Sequence, residues 1–328
     1  MSIEKITLAK DLEVCRILNG MWQVAGGHGQ IEKDLAIADM IEYHNSGFTT
    51  WDLADIYGPA ESLVGEFREK IDKAKSQALT KFVPNPGPMS NSIVTHYIEQ
   101  SLKKMNTDCI DLLQFHWWDY NDTSYLDALH HLSKLQSEQK IKHLGLTNFD
   151  TERIRIMIEN GFHIVSNQVQ FSILDQRPEK IMIPFFVKNG IKILTYGTLL
   201  GGFFSEKYLG VDEPHRSELT TSSLQKYKNM IDIWGGWQLF QELLCTLDEI
   251  AKKHQCSISN IATRFVLDKP QVAGVIIGAR LGITNHRNDN AKVFDVKLDN
   301  DDISLINLVT VKSNDLFEKI GDCGAEYR

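Results

Sequence analysis

The sequence predicts an α/β protein, a closed (β/α)8 TIM barrel with an N-terminal β-hairpin and extra C-terminal helices. Two observations predict it. Short apolar segments alternate with amphipathic segments eight times along the chain, and most of the short segments end in a polar or charged residue. Because parallel strands need a crossover connection that is usually helical, this strict alternation indicates a parallel sheet. Eight repeats favour a closed barrel over an open doubly wound sheet.

The amphipathic segments have helical periodicity, and the short apolar segments are typical of strands. The eight strand–helix pairs predicted in this way are Arg16–Gly20 with Asp34–Ser46, Phe48–Asp52 with Ala60–Lys70, Gln77–Lys81 with Ser90–Met105, Ile110–His116 with Leu126–Glu138, Lys142–Leu146 with Thr151–Asn160, Ile164–Gln168 with Pro178–Asn189, Lys192–Tyr196 with Trp237–His254, and Val272–Ile277 with Asn285–Phe294. An open dinucleotide-binding sheet would carry G-x-G-x-x-G after an early strand. The early glycine cluster Gly26-Gly27-His28-Gly29 does not have that spacing.

The residues outside these pairs predict additions to the barrel. Lys5–Val14 is typical of a hairpin that turns at Ala9-Lys10 and covers the barrel floor. Leu199–Trp237 is a long connection rich in Gly, Ser and Tyr, and connections of that length are usually functional or mobile. Two further helices, Ile258–Leu267 and Asp301–Asn314, precede a tail, Asp315–Arg328. Since no linker divides the chain, we expect one domain over residues 1–328.

Composition narrows the class of protein. The chain has 328 residues, 42% hydrophobic and 24% charged, with a formal net charge of −8. That charge argues against a nucleic-acid partner. The five cysteines include no CxxC pair, which disfavours zinc and predicts a reduced, cytoplasmic setting. The first residues lack a signal-peptide pattern and no apolar run is long enough to span a membrane, so we expect a protein of the cytoplasm without membrane or metal.

Polar residues cluster at the predicted strand ends. Asp52, Lys81 and His116 end the second, third and fourth strands, and Tyr57 lies in the loop after the second. The carboxyl ends of barrel strands share one face, where active sites lie. An ammonium close to a phenol favours the phenolate, and a carboxylate keeps that ammonium charged and fixed. Each residue alone has an ordinary structural explanation, but the four together predict a general acid–base site.

Six motifs in order carry a family resemblance. They are Thr50–Glu61 (TWDLADIYGPAE), Leu79-Thr80-Lys81, Asp111–His116 (DLLQFH), Gly145–Phe149 (GLTNF), Asn167-Gln168 and Thr195–Gly202 (TYGTLLGG). Together they resemble the aldo-keto reductase family over nearly the whole chain, with Thr147 in place of a Ser and Gly197-Thr198 in place of Ser-Pro. The resemblance implies a (β/α)8 barrel that uses a nicotinamide cofactor without a Rossmann fold.

The resemblance also implies roles for the strand-end residues. Tyr57 would be the general acid in the reduction of an aldehyde or ketone, tuned by Lys81 and Asp52, while His116 would position the carbonyl. The residues implied to hold the nicotinamide and pyrophosphate are Thr147, Asn148 and Gln168 at the carboxamide, Tyr196 stacked on the ring, and Gly197, Leu199 and Gly201 in the following loop. At Gly197 the family's serine hydroxyl is missing.

The last strand and helix resemble the part of the family that holds the adenosine end. The residues that match are Gly278, Arg280, His286, Asp289 and Asn290, with Asp289-Asn290 in place of the acidic-Asn pair that meets adenine. Arg280 offers fork geometry to a 2′-phosphate, which favours NADP, so that NADPH is expected in preference to NADH. Arg287 is a second cationic candidate. Trp22 and Trp117 are expected to line the substrate pocket, with Trp234 and Trp237 closing it from the long connection.

Two alternatives to a carbonyl reductase are considered. A cofactor-sensing regulatory subunit resembling potassium-channel β subunits would keep the same residues and turn over slowly. A metal-dependent barrel enzyme fits less well, because the strand ends carry one His at a plausible ligand position. The substrate, a small carbonyl or alcohol, is not specified by the sequence, and neither are the direction of the reaction in the cell or the oligomeric state.

Overall fold

A hairpin closes the floor of the barrel. The computed structural model describes residues 3–26 and 31–327, so three residues of the early glycine cluster, 27–29, lie outside the described part. Strands β1 (Lys5–Ala9) and β2 (Leu12–Cys15) pair antiparallel, as predicted. The prediction of the turn at Ala9-Lys10 was wrong by one residue. Ala9 pairs with Leu12, so the turn is Lys10-Asp11, and Asp11 takes the left-handed φ of 63° that Asp tolerates in tight turns.

Eight parallel strands form the closed barrel that the sequence predicts. They are β3 (Ile17–Gly20), β4 (Thr50–Asp52), β5 (Gln77–Phe82), β6 (Ile110–Phe115), β7 (Ile141–Thr147), β8 (Ser166–Gln170), β9 (Lys192–Tyr196) and β10 (Val272–Gly278). Their order around the barrel follows the chain, and β10 pairs with β3 to close it. Leu8, Leu12 and Val14 of the hairpin pack against interior leucines such as Leu79 and Leu112, which seals the lower end.

Helices surround the strands. Those that follow the successive strands are α1 (Lys33–Asn45), α2 (Ala60–Arg68), α3 (Asn91–Lys104), α4 (Tyr125–Ser137), α5 (Thr151–Glu159) and α6 (Met182–Asn189), then α7 (Ser222–Trp234), α8 (Gly236–His254) and α9 (Ile258–Leu267) between β9 and β10, and finally α10 (Arg287–Lys292), α11 (Asn300–Thr310) and α12 (Leu316–Ile320). Side-chain caps fix several starts. Ser90 accepts from the Ile93 amide and Asp150 from the Arg153 amide. Within residues 3–26 and 31–327, no helix combines the length and apolarity that crossing a membrane requires.

The connection after β9 is more ordered than predicted. Residues 199–237 were expected to be a loop, but they include α7, which Thr221 caps by accepting from the Leu224 amide. Tyr227, Ile231 and Trp234 are buried along one face of this helix, a spacing that the sequence already contained. Trp234 and Trp237, expected to close the pocket, are 2% and 8% exposed and belong to the core.

Three further boundaries differ from the sequence prediction. The sixth barrel strand runs over Ser166–Gln170 instead of Ile164–Gln168, since Gln170 pairs with Tyr196 of β9. Pro178 lies in a short 3-10 turn, Arg177–Glu179, and α6 begins only at Met182. The predicted tail after residue 315 contains a helical turn, α12, because Asp315 caps it by accepting from the Phe317 amide.

Candidate active site

A buried ion pair lies at the carboxyl end of β4 and β5. Lys81 Nζ is 2.6 Å from Asp52 Oδ2, and each side chain is 4% exposed. The ammonium also donates to the Leu53 carbonyl at 2.8 Å. Burial lowers the pKa of Lys81, and the Asp52 carboxylate opposes that shift. Because a charge buried without a partner is costly, the pair holds both side chains in one arrangement.

Tyr57 lies beside this pair, in the loop that the sequence indicated. Lys81 Nζ is 5.0 Å from the centroid of the Tyr57 ring. The ring also meets Trp22 edge to face, with centroids 5.0 Å apart. Trp22 is 40% exposed and Tyr57 is half-buried, so both side chains border the open mouth of the barrel. The structure therefore brings Asp52, Lys81 and Tyr57 into contact with one another.

The second oxygen of Asp52 is held by two amides, one of which sequence analysis missed. Gln114 Nε2 donates to Asp52 Oδ1 at 3.0 Å, and Gln168 Nε2 donates to the same oxygen at 2.7 Å. Gln168 also donates to Gln114 Oε1 at 2.7 Å. The polar residue in the middle of an apolar strand, as in Leu113-Gln114-Phe115, was the available signal. Gln168 was expected to bind the carboxamide, but its amide nitrogen points to the barrel interior.

His116 follows β6 and is 3% exposed. Its Nδ1 lies 3.0 Å from the Thr147 carbonyl, and the ring meets Trp118 edge to face at 4.3 Å. Since a carbonyl oxygen only accepts, Nδ1 carries a proton, and Nε2 donates only when the ring is cationic. The amide of His116 donates to the Phe82 carbonyl of β5, which places the imidazole next to the strand of Lys81.

The ends of β7, β8 and β9 bring the residues expected at the nicotinamide together. Thr147 pairs with Gln168 in register and donates its hydroxyl to the Gln168 carbonyl at 3.3 Å. Asn148 adopts a left-handed φ of 59°, a strained conformation for most residues that Asn tolerates. The Tyr196 hydroxyl donates to Asn148 Oδ1 at 2.8 Å. Asn148 and Tyr196 are both half-buried, so an amide and an aromatic ring stand at the same edge of the mouth.

Glycines are required in the loop after β9. Gly197 has φ 72°, and a Cβ there would be 2.4 Å from the hydroxyl of Tyr227 on α7. Gly201 has φ 66°, and its Cβ would be 3.1 Å from the same ring. Leu199 is half-buried against the core. The serine that the family resemblance leads one to expect at Gly197 cannot be accommodated here, because the helix that sequence analysis missed packs against this loop.

The residues expected at the adenosine end lie after β10, apart from the ion pair. Gly278 pairs with Gly20, and Arg280 and His286 are exposed. Asp289 Oδ2 accepts from the Ser257 hydroxyl at 3.0 Å, while Asn290 is 9% exposed. The exposed guanidinium of Arg280 is the cation in this loop that a phosphate can reach.

Arg287, the second cationic candidate, is engaged elsewhere. Its Nη1 lies 2.5 Å from Asp39 Oδ1 on α1, and its guanidinium lies 5.2 Å from the centroid of the Tyr43 ring. The side chain is 14% exposed. Arg287 therefore joins α10 to α1, and the expectation that it contributes to a phosphate pocket was wrong.

Trp117 also differs from its expected place. It is 0% exposed, and its indole nitrogen donates to the carbonyls of Asp119 and Asp122, both at 2.8 Å. A fully buried indole cannot line an open pocket, so Trp117 belongs to the core. Its neighbour Trp118, 37% exposed and packed on His116, lies at the mouth with Trp22.

Asp55 is a titratable group near the site that the sequence did not single out. Burial raises its pKa to about 6, while the hydrogen bond from the Val83 amide opposes the shift. That amide donates to Asp55 Oδ2 at 3.1 Å, which joins the loop after β4 to the residue that follows β5. Its place two residues before Tyr57 was the available signal.

A model of the aldo/keto reductase family matches residues 16–310. The chain therefore belongs to the aldo/keto reductase family, whose members are oxidoreductases that act on carbonyl and alcohol substrates with nicotinamide cofactors. This confirms the family expected from the six sequence motifs.

Individual relatives are distant. The chain is 24% identical over 332 residues to an NADH-specific methylglyoxal reductase of Escherichia coli (strain K12), covering 93% of this chain and 97% of that protein. It is 25% identical over 257 residues to flagellar radial spoke protein 5 of Chlamydomonas reinhardtii, and it spans about half, 49%, of that protein's length and 66% of its own. A crystal structure of an aldo/keto reductase from Klebsiella pneumoniae in complex with NADP and acetate has a TM-score of 0.72 at 19% identity, covering 94% of this chain and 95% of that one. At that identity the likeness shows the fold.

The side chains at the mouth fit a nicotinamide dinucleotide. Tyr196 presents an aromatic ring and Asn148 an amide, while Gly197 and Gly201 leave backbone uncovered by any Cβ. Arg280 presents an exposed cation that suits a phosphate. The proton-transfer group of Tyr57, Lys81 and Asp52 stands at the same carboxyl-terminal face, as active sites of such barrels do.

Proposed function

We propose that the protein is a carbonyl reductase that interconverts an aldehyde or ketone with its alcohol. The observation that carries the proposal is the buried Lys81–Asp52 pair, with its ammonium 5.0 Å from the ring of a half-buried Tyr57. A phenol at the mouth beside a fixed ammonium is suited to proton exchange with a substrate oxygen. The proposal treats residues 1–328 as one domain built around this barrel.

Tyr57 is the general acid in reduction and the general base in the reverse direction. It donates its phenolic proton to the carbonyl oxygen, and the ammonium of Lys81 stabilises the phenolate that remains. Asp52 keeps the ammonium in place, and Gln114 fixes Asp52. His116 stands at the end of the neighbouring strand, where its imidazole orients the substrate oxygen. Trp22 provides apolar surface for the substrate at the rim.

The cofactor is NADP(H), held along the carboxyl ends of β7 to β10. When bound in its reduced form, the nicotinamide supplies the hydride. Asn148 and Thr147 present polar atoms to the carboxamide, with Gln168 behind them, and Tyr196 stacks on the ring. The loop after β9, with Gly197, Leu199 and Gly201, faces the pyrophosphate. Gly278, His286, Asp289 and Asn290 border the adenosine.

Arg280 supports the choice of NADPH over NADH. Its guanidinium is exposed on the loop after β10 and has the planar fork that binds phosphate oxygens. The NADH-specific methylglyoxal reductase among the relatives makes the dinucleotide the first quantity to measure. All five cysteines are unpaired thiols, which supports a reducing, cytoplasmic location.

Two measurements test the proposal. Fluorescence titration with NADPH and NADH should show saturable binding, tighter for NADPH, and a panel of aldehydes and ketones should give turnover at the nicotinamide absorbance. Tyr57→Phe should lower kcat by about 10² to 10⁴ and leave dinucleotide affinity unchanged. Tyr97→Phe, which removes a hydroxyl from the outer helix α3, is the matched control. Failure to bind either dinucleotide, or normal turnover by Tyr57→Phe, refutes the proposal.

A further inference from the structure

The last described segment of the chain crosses the mouth of the barrel. We call residues 316–327 the tail segment; it begins with α12 and ends in a 3-10 turn, Ala325–Tyr327. Asp322 Oδ2 accepts from the Thr151 amide at 2.7 Å, which attaches the segment to the start of α5. Cys323 is 0% exposed. The segment is therefore packed onto the loops that follow β7 and β8, on the face that carries the active site.

Arg177 anchors this segment from below. Its Nε and Nη2 donate to the two oxygens of Asp175, both at 2.8 Å, and Gln170 at the end of β8 donates to the same carboxylate at 2.7 Å. The remaining guanidinium nitrogen, Nη1, donates to the Asp322 carbonyl at 3.2 Å. Arg177 is 2% exposed and Asp175 is 0% exposed. The two residues thus form a rigid base for the tail segment.

Glu326 connects that base to the nicotinamide end of the site. One of its oxygens, Oε2, lies 3.0 Å from Arg177 Nη2, and its side chain is 6% exposed. The other, Oε1, accepts from the Tyr196 hydroxyl at 3.2 Å, while the same hydroxyl lies 2.8 Å from Asn148 Oδ1. Burial alone would raise the pKa of Glu326, but the charges of Arg177 and Lys226 outweigh it and hold the pKa below its ordinary value.

We propose that Glu326 is a positioning residue for the cofactor site, acting through the Tyr196 hydroxyl to fix the ring of Tyr196 and the amide of Asn148. The inference rests on the proposed function, in which these two side chains meet the nicotinamide. A buried carboxylate held by an arginine is a fixed acceptor, so it restricts the rotation of the tyrosine before the cofactor binds. Such preorganisation strengthens binding because less ordering remains to be done in the complex.

The proposal predicts an effect on one half of the cofactor. The adenosine end is assigned to the loop after β10, whereas Glu326 touches the end of β9 and, through it, β7. Glu326→Ala should weaken binding of NADPH about tenfold and leave binding of 2′,5′-ADP, which lacks the nicotinamide, within twofold of wild type. If wild type binds NADH instead, the pair of probes is NADH and ADP. Glu318→Ala removes the same charge from an exposed position of the tail segment and should change neither affinity.

A double-mutant cycle separates positioning from a general structural role. Tyr196→Phe keeps the ring and removes the hydroxyl through which Glu326 acts, so Glu326→Ala in that background should add less than twofold to the loss of NADPH affinity. Thermal unfolding of each variant reports whether the fold is intact. Equal weakening of NADPH and 2′,5′-ADP, independent losses in the cycle, or an unchanged NADPH affinity in Glu326→Ala would overturn the proposal. Absence of dinucleotide binding by wild type would instead show that the proposed function itself has failed.

Discussion

Lys81 and Asp52 form an ion pair of 2.6 Å in which each side chain is 4% exposed. The two residues come from neighbouring strands, β5 and β4, and are 29 positions apart in the chain. Gln114 and Gln168 satisfy the other oxygen of the carboxylate, so the pair is enclosed by hydrogen bonds on the barrel side. Tyr57 covers it on the side of the mouth. The ion pair is therefore part of the structural interior and of the proposed chemistry.

Breaking this pair should destabilise the protein more than breaking an exposed one. We expect Asp52→Asn to lower the free energy of unfolding by about 3 kcal/mol, because it leaves a buried ammonium without its counter-charge. Lys33 and Glu66 also lie 2.7 Å apart, but both are largely exposed, so Glu66→Gln should cost less than about 1 kcal/mol. Urea denaturation followed by circular dichroism measures both values. Equal costs for the two variants would contradict the structural role assigned to the pair.

Arg280 and Arg287 should behave differently on substitution. Arg280→Met is expected to raise the Kd for NADPH by about 10- to 100-fold and to leave the Kd for NADH unchanged, because the charge-assisted bonds to the 2′-phosphate are lost. Arg287→Met removes the contacts with Asp39 and Tyr43, so it should lower the melting temperature without altering selectivity between the dinucleotides. Fluorescence titration and thermal unfolding distinguish the two effects. A change of selectivity in Arg287→Met would count against the assignment.

The raised pKa of Asp55 should appear in the pH dependence of stability. Burial raises the pKa of Asp55 from 3.8 to about 6, so the folded state binds this proton more tightly than the unfolded state. The stabilisation is fully present below pH 4 and is lost as the pH rises through about 6, in total about 3 kcal/mol. Urea unfolding from pH 4 to pH 7 should show this decline in wild type and not in Asp55→Asn.

Asp299 provides a control of opposite sign. The hydrogen bond from Lys253 lowers the pKa of Asp299 to about 2, so the stabilisation is present above pH 4 and is lost as the pH falls. The difference in stability between wild type and Asp299→Asn should therefore shrink below pH 4. If Asp55→Asn and wild type have parallel pH profiles, the carboxyl group of Asp55 is not shifted in the folded protein.

Gly197 should be intolerant of any side chain. Gly197→Ala would place a Cβ 2.4 Å from the Tyr227 hydroxyl at a φ of 72°, so both a clash and backbone strain arise. We expect a loss of about 2–4 kcal/mol in the free energy of unfolding. Gly161→Ala has the strain alone, because its φ is 84° and no heavy atom lies within 4 Å of the Cβ, and it should cost about 1 kcal/mol. Chemical denaturation of the two variants measures the difference, and equal losses would show that α7 does not restrict this loop.

The strand-end residues were predictable because of a simple geometric rule. Parallel strands bring their carboxyl ends to one face, so Asp52, Lys81 and His116 could be assigned to a common site from their positions alone. Gln114 was missed since its role depends on pairing with a residue 62 positions away. The helix α7 was missed because the preceding Gly- and Ser-rich stretch concealed the buried spacing of Tyr227, Ile231 and Trp234.

The sequence by itself determined the alternation of strands and helices, the order of the motifs and the polar residues at each strand end. These are local properties of composition and spacing, and local properties are what periodicity and turn residues encode. The tertiary structure alone decided which charges are paired. Arg287 looked like a phosphate ligand and is bound to Asp39, Trp117 looked like a pocket residue and is buried, and Glu326 reaches Tyr196 from the end of the chain. Long-range contacts of this kind depend on how helices and tails pack across the barrel, and no single segment of the sequence specifies them.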